Sequence, residues 1–142
     1  TAEESRIMAE WTSVSEFTVS LPDTPGQLAS FAARLRKGDI QLKMLEVRSM
    51  DMPHSRLTCI PENAEELRMF LRSSDLHYVE REAALLIDDA GHGSFTKTLE
   101  EIAAAGINLQ TLRGVRLDDG VGYIIRPHEC DRDEFNRSIA KA

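Results

Sequence analysis

The sequence predicts an α+β fold made of two tandem βαββαβ units, and three observations support this prediction. The chain has 142 residues, a length that suits one domain or two small domains of roughly 70 residues each. Short runs of β-forming residues alternate with amphipathic helical stripes in the order strand, helix, strand, strand, helix, strand. The two halves of the sequence also resemble each other when the sequence is aligned with itself so that Gly26 matches Gly93.

The internal repeat is an ordered series of matching positions rather than a high identity. The matches are Ile40 with Ile107, Leu42 with Leu109, Leu45 with Leu112, Leu28 with Phe95, Phe31 with Thr98, Leu35 with Ile102 and, with a slip of one residue, Pro61 with Pro127. Because each half shows the same element order, each is predicted to be a ferredoxin-like split βαβ unit.

The first unit is assigned to residues 16–82. A strand is predicted at 17–21 from its β-forming side chains. A turn is predicted at Asp23–Gly26, because it contains proline and glycine, which favour turns. Residues 27–37 have apolar side chains at helical spacing, and Gly38 is predicted to end this helix as a C-cap glycine. The same signals predict a strand at 40–48, a loop at 50–55, a strand at 56–60, a helix from 61–63 to 72 and a strand at 76–80.

The second unit is assigned to residues 83–142 and begins almost without a linker. Its predicted elements are a strand at 83–87, a loop at 88–93, a helix at 94–105 stopped by Gly106, a strand at 107–117, an Asp-Gly hairpin turn at 118–120, a strand at 121–126 and a helix at 131–140. The expected fourth strand is missing, which leaves one sheet edge bare.

Two partners are candidates to cover that bare edge. One is the segment Arg6–Val14, within an N-terminal extension of residues 1–15 that has no place in the first unit. The other is a second chain, and for this reason a homodimer is expected. Trp11 is expected to pack on the open edge or to lie in an oligomer interface.

Composition argues against several classes of partner. The chain has 24 acidic and 17 basic residues, a net charge of −7, so it offers no extended basic face for nucleic acid. No apolar run approaches the ~18 residues of a membrane span, and Thr1–Ser5 lacks the features of a signal peptide. Cys59 and Cys130 form no disulfide framework and are interpreted as reduced thiols. We therefore expect a cytoplasmic protein without nucleic-acid or membrane partners.

Motifs of known catalytic chemistry are not found in the sequence. It has no glycine-rich phosphate loop, Gly-x-Ser-x-Gly or His-Glu-x-x-His. His128-Glu129-Cys130-Asp131 suggests a metal site, but no second ligand cluster accompanies it, and a capping Asp131 explains the acids equally well. We predict no enzyme, no metal and no cofactor. An alternative hypothesis is a cryptic enzyme or redox sensor that uses Cys130 with His128 or His92.

Two motifs resemble those of ACT domains, small ligand-binding modules of amino-acid metabolism. Asp23-Thr24-Pro25-Gly26-Gln27-Leu28 is similar to the family's Asp/Asn-x-Pro-Gly-x-Leu turn, and Gly106-Ile107-Asn108-Leu109 is similar to its Gly-Ile/Val-Asn-Ile. The resemblance covers about residues 16–141 and implies a stand-alone tandem ACT protein. It implies that small ligands, usually amino acids, bind where two modules pair side by side.

The chemistry of the matching residues suits such a ligand. A loop that opens a helix presents unpaired N–H groups and a positive dipole end to a carboxylate, and glycine permits close approach. An Asp, Asn or Gln side chain accepts from the ammonium group. The candidate ligand-binding residues are Asp23, Thr24, Pro25, Gly26, Gln27, Gln41, Gly91, His92, Gly93, Ser94, Asn108 and Leu109.

The two halves depart from the family pattern differently, so their sites are not equivalent. Gln41 stands at the family's Asn position, whereas Ala90 and His92 stand at its Asp and Pro positions. The expected function is regulatory binding of an amino acid or related metabolite, in a homodimer or with a partner enzyme of amino-acid metabolism. The alternative is a ligand-free interaction module that joins chains by strand addition.

Overall fold

The computed structural model describes residues 10–49, 54–89, 95–117 and 120–140. These residues form six strands and four α-helices, which confirms the predicted α+β class. The elements are β1 (Glu10–Pro22), α1 (Gln27–Lys37), β2 (Leu42–Ser49), β3 (His54–Pro61), α2 (Ala64–Ser73), β4 (Tyr78–Asp89), α3 (Phe95–Ala104), β5 (Leu109–Leu117), β6 (Gly120–Pro127), a 3-10 turn (Glu129–Asp131) and α4 (Arg132–Ala140). None of the described helices is long and apolar enough to cross a membrane.

The chain divides into two compact units, and each takes part of β1 and part of β4. We call residues 15–82 the central unit, and residues 1–14 with 83–142 the terminal unit. The strands predicted separately at 76–80 and 83–87 are a single strand, β4. No glycine or proline interrupts its sequence, so nothing forces the extended backbone to turn at the boundary between the two units.

Strand order within the central unit is β2-β3-β1-β4, with β3 antiparallel to both β1 and β2. Phe17 and Val19 of β1 lie opposite Cys59 and Leu57 of β3, and all four side chains are buried. Alternation along both strands places these residues on one face, as a half-buried sheet requires. The buried cluster comprises Phe17, Val19, Leu21, Phe31, Leu35, Leu57, Cys59, Leu67 and Leu71.

Strand order within the terminal unit is β1-β4-β6-β5, with β6 antiparallel to β4 and β5. Along β6, Val121, Tyr123 and Ile125 are buried and alternate with half-buried residues. The buried cluster comprises Ala84, Leu86, Ile102, Ile107, Val121, Tyr123, Ile125 and Phe135. The unit therefore has a hydrophobic core of its own.

The start of β1 stands where the terminal unit lacks its own fourth strand. Trp11 packs against the terminal core, and its ring meets that of Phe135 edge-on, with 6.0 Å between the centroids. Of the two candidates for the bare edge, the structure therefore has this chain's own N-terminal segment beside β4. Residues 6–9 of the predicted segment lie outside the described residues.

Both units end their first helix in the same way. The closing hydrogen bonds run from the Ile40 N–H to the Leu35 carbonyl (3.0 Å) and from the Ile107 N–H to the Ile102 carbonyl (3.4 Å). The residue just before is left-handed in each unit, with φ of 55° at Asp39 and 73° at Gly106. Gly38 stops α1 as predicted, but its φ of −82° is ordinary, so the left-handed position falls on Asp39.

Both units also carry an irregularity at the start of their second strand. The register shifts between Leu42 and Met44 where β2 pairs with β3, and between Leu109 and Thr111 where β5 pairs with β6. These places coincide under the displacement that aligns the two halves of the sequence. The two halves thus share this backbone feature at matching positions, and in both the shift follows a candidate ligand-binding residue, a position where bulges re-aim side chains.

Candidate functional site

The loop between β1 and α1 is a tight turn that opens directly into the helix. The Gln27 N–H donates to the Thr24 carbonyl (3.2 Å), and the Ser30 N–H donates to the Gly26 carbonyl (2.9 Å). Gly26 is the N-cap residue and is left-handed, with φ 89°. A Cβ added at Gly26 would meet no atom within 4 Å, so solvent or a ligand can approach the backbone here.

The N-termini of α1 and α2 differ in how their backbone N–H groups are satisfied. Asn63 caps α2 by accepting from the Glu66 N–H (3.1 Å), and the first turn of α2 is acidic. In the described residues around α1, no side chain caps the helix and its first turn has no acidic residue. The α1 terminus therefore keeps an uncompensated positive end, which favours a carboxylate.

Asp23 lies at the mouth of this loop and is half-buried. The Ser49 hydroxyl donates to Asp23 Oδ2 (2.9 Å) and so links the loop to the end of β2. This bond fixes the carboxylate through one of its oxygens. Sequence reasoning did not find Ser49, because the two residues are far apart in the chain and meet only through the sheet.

Gln41 precedes β2 in the central unit, and its polar groups are bonded within that unit. Its side-chain amide donates to Asp39 Oδ1 (3.2 Å), and its carbonyl accepts from the Glu62 N–H (2.9 Å). The Gln41 side chain is exposed. Its amide is thus already engaged by the carboxylate of Asp39, the left-handed residue that follows Gly38.

Asn108 precedes β5 in the terminal unit and is held on both sides of its backbone. Its carbonyl accepts from the His128 N–H (3.0 Å), as the Gln41 carbonyl does from Glu62, and its N–H donates to Asp131 Oδ2 (2.8 Å). Its side chain is exposed, whereas Leu109 packs against the terminal core. Leu109 thereby has a structural role that the motif alone did not reveal.

The predicted site residues fall into three groups. Asp23, Thr24, Pro25, Gly26, Gln27 and Gln41 belong to the central unit, and Asn108 and Leu109 belong to the terminal unit. Gly91, His92, Gly93 and Ser94 lie outside the described residues, as do residues 50–53 of the predicted loop and residues 118–119 of the predicted hairpin turn. The central loop thus presents an open helix terminus with an anchored carboxylate, whereas the terminal unit presents the exposed side chain of Asn108 on an anchored backbone.

The described part of the chain bears on the metal and thiol interpretations of the sequence. There, no group of three or more His, Cys, Asp and Glu side chains is placed to hold a metal ion. Cys59 is 0% exposed, and burial, reinforced by the negative charge of Glu16, raises its pKa to about 12. Since only the thiolate attacks or binds metal, Cys59 is inert at neutral pH. Cys130 is exposed.

The two cysteines are therefore expected to react with iodoacetamide at very different rates. At pH 8 one thiol per folded chain should be alkylated readily, and the second only after unfolding in urea, because the raised pKa leaves almost no Cys59 thiolate. Mass spectrometry of the alkylated peptides checks this. Cys130→Ser should abolish the fast reaction, and fast labelling of both thiols in the native protein would contradict the buried position of Cys59.

Comparison with known proteins shows which fold this geometry belongs to. No protein-family model matches the chain, and no curated protein sequence matches it. Among solved structures it resembles a protein from Bacteroides thetaiotaomicron, with a TM-score of 0.76, 16% identity and 89% of each chain covered. It also resembles the regulatory subunit of aspartate kinase from Thermus thermophilus, with a TM-score of 0.61, 15% identity, and 94% of this chain and 95% of that chain covered.

A third similar structure is aspartate kinase from Synechocystis, with a TM-score of 0.60 and 12% identity. The match covers 96% of this chain but 26% of the kinase chain, so there the same architecture is one part of a longer protein. Identities this low establish the fold alone. The chain therefore has the fold of aspartate kinase regulatory subunits, and its resemblance to ACT domains is confirmed at the level of the fold.

Proposed function

We propose that this protein is a cytoplasmic regulatory module that binds an amino acid or a closely related metabolite where two ACT units pair. The observation that carries the proposal is the open N-terminus of α1 in the central unit. There an uncapped helix end, a left-handed glycine with open space over it and an anchored carboxylate occur within four consecutive residues, Asp23–Gly26. The three features together match the two charged groups of an amino acid.

Each charged end of the ligand has a counterpart in this scheme. The ligand carboxylate accepts from N–H groups in the first turn of α1, where the helix dipole favours negative charge. Its ammonium group donates to Asp23 and to the amide oxygen of Asn108 from a paired unit. The pairing partner is either the other unit of the same chain or a unit of a second copy.

Regulation follows from linkage. A ligand that binds one pairing of the units more tightly than another shifts the population toward that pairing. A partner enzyme that contacts only one arrangement then senses the ligand, and it alters ligand affinity by the same factor. The known structures of this fold include both separate regulatory subunits and a segment of a longer kinase, which makes an enzyme of amino-acid metabolism the natural partner to test.

A thermal-shift screen of the twenty amino acids at millimolar concentration tests the proposal. A ligand present at 100 times its Kd adds about 2.7 kcal/mol of stability, which corresponds to several degrees for a protein of this size. We expect the shift to disappear in Asp23→Ala and in Asn108→Ala. It should persist in Asp133→Ala and Asn136→Ala, which remove a matching carboxylate and amide from exposed positions on α4.

One observation favours the alternative of a ligand-free interaction module. Strand β2 is at the end of the central unit's strand order and exposes Leu45 (53%) and Val47 (42%) on one face. An exposed edge with apolar side chains supports pairing with another chain. If no amino acid raises the melting temperature in the thermal-shift screen, and light scattering gives the mass of a dimer, the interaction module becomes the better supported function. The expected homodimer would now have to form through β2, because the start of β1 lies at the edge of the terminal unit that was predicted to be bare.

A further inference from the structure

We infer that Asp131 is a positioning residue that holds Asn108 in the orientation in which its side-chain amide can bind the ammonium group of the ligand. The inference rests on the proposed function, and it assigns a role to a carboxylate that the ACT-like motifs do not include. Asp131 Oδ2 accepts from the Asn108 N–H at 2.8 Å, with both residues in the terminal unit. A bond to an ionised acceptor is stronger than a neutral one, so this contact is worth more than an ordinary turn hydrogen bond.

Asn108 needs such an anchor because the pairing of β5 with β6 holds only one side of its backbone. Strand β5 begins one residue later, at Leu109, and its register against β6 shifts between Leu109 and Thr111. Next to the Leu109–Pro127 pair, the pairing of the two strands continues to Asn108 only through its carbonyl, which accepts from the His128 N–H (3.0 Å). The Asn108 N–H is held instead by the Asp131 carboxylate, from the turn at residues 128–131.

We call these two hydrogen bonds on the Asn108 backbone the clamp. The clamp determines which groups of Asn108 remain available to a ligand. The backbone N–H donates to Asp131 and the backbone carbonyl accepts from His128, so the exposed side-chain amide is the group left for a ligand, and its oxygen is the proposed acceptor for the ammonium group. Fixing the backbone also fixes the direction in which that side chain leaves the chain. Pre-organisation of this kind increases affinity by lowering the entropy lost on binding.

The carbonyl bond recurs in the central unit, where the Gln41 carbonyl accepts from the Glu62 N–H (2.9 Å), but the carboxylate bond does not, so the Asp131 contact is not a by-product of the repeated fold. The residue that aligns with Asp131 is Glu65, and its carboxylate accepts from the Arg68 guanidinium (3.1 Å). Gln41, which aligns with Asn108, has its amide bonded to Asp39. The amide of the terminal unit is therefore the one assigned to ligand recognition.

Three variants separate positioning from simple structural support. Asp131→Ala removes the acceptor, Asp131→Asn keeps an amide oxygen in its place, and Asp133→Ala removes an exposed carboxylate from the same helix end. We expect Asp131→Ala to weaken binding of the responding amino acid by about ten-fold, the scale of one lost charge-assisted hydrogen bond. Asp131→Asn should recover most of that affinity, and Asp133→Ala should bind like the parent protein.

The measurements are calorimetric Kd values for each amino acid that responds in the screen, and amide hydrogen exchange at Asn108 in the ligand-free variants. Faster exchange at Asn108 in Asp131→Ala, together with weaker binding, supports the inference. Equal binding by the parent protein and Asp131→Ala overturns it while leaving the proposed function intact. Tighter binding by Asp131→Ala also overturns it, because the carboxylate would then be competing with the ligand. If none of the twenty amino acids binds the parent protein, both ideas fail.

Discussion

Trp11→Ala should destabilise the terminal unit by about 3 kcal/mol, at the lower end of the range for large aromatic truncations because the side chain is only half-buried. The ring covers the terminal core and meets Phe135 edge-on at 6.0 Å. Its loss exposes that core and removes the aromatic pair, which adds to the effect of area alone. Urea unfolding followed by far-ultraviolet circular dichroism measures the change.

Two further variants make this prediction specific to the aromatic contact. The indole Nε1 of Trp11 is buried and has no hydrogen-bond partner among the described residues. Trp11→Phe keeps an aromatic edge and removes that unsatisfied donor, so it should cost much less than Trp11→Ala. Thr12→Ala, at the adjacent exposed position of β1, should be nearly neutral. Equal stability of Trp11→Ala and Thr12→Ala would mean that the N-terminal strand does not support the terminal core.

Local patterns predicted the fold well where each element follows from its own residues. The helix at 27–37 was predicted with the bounds that the structure shows, because a Pro-Gly turn begins it and a glycine ends it. The strand predicted at 17–21 is longer, and those at 76–80 and 83–87 are one. Strand length depends on a pairing partner, which single-sequence periodicity does not reveal.

In the candidate site too, the features that depend on local sequence were predicted, and those that depend on the fold were not. The motifs located the Asp23–Gly26 turn and Asn108, since their chemistry is local. The residues that hold them, Ser49 and Asp131, are contributed by other elements. Neither follows a recognisable spacing, so only the folded arrangement identifies them. Asp131 was interpreted from the sequence as a helix cap, and the structure adds its hydrogen bond to the Asn108 backbone.

Gly26→Ala should reduce ligand affinity by about ten-fold or more, whereas Gly106→Ala should leave affinity nearly unchanged. Both glycines are left-handed, with φ of 89° and 73°, and a Cβ at either position would meet no atom within 4 Å. Each substitution therefore has a similar backbone cost, of order 1–2 kcal/mol, without a steric clash in the free protein. Gly26 caps the proposed carboxylate-binding end of α1, where a methyl group obstructs a ligand that approaches the N–H groups.

Because the two substitutions are matched in chemistry and in strain, their difference reports the ligand site. Unfolding free energies should fall by similar amounts in Gly26→Ala and Gly106→Ala, and calorimetric Kd values should change only in the first. If both glycine variants bind equally well, the open terminus of α1 is a turn and not a binding surface, and ligand recognition must be sought elsewhere in the chain.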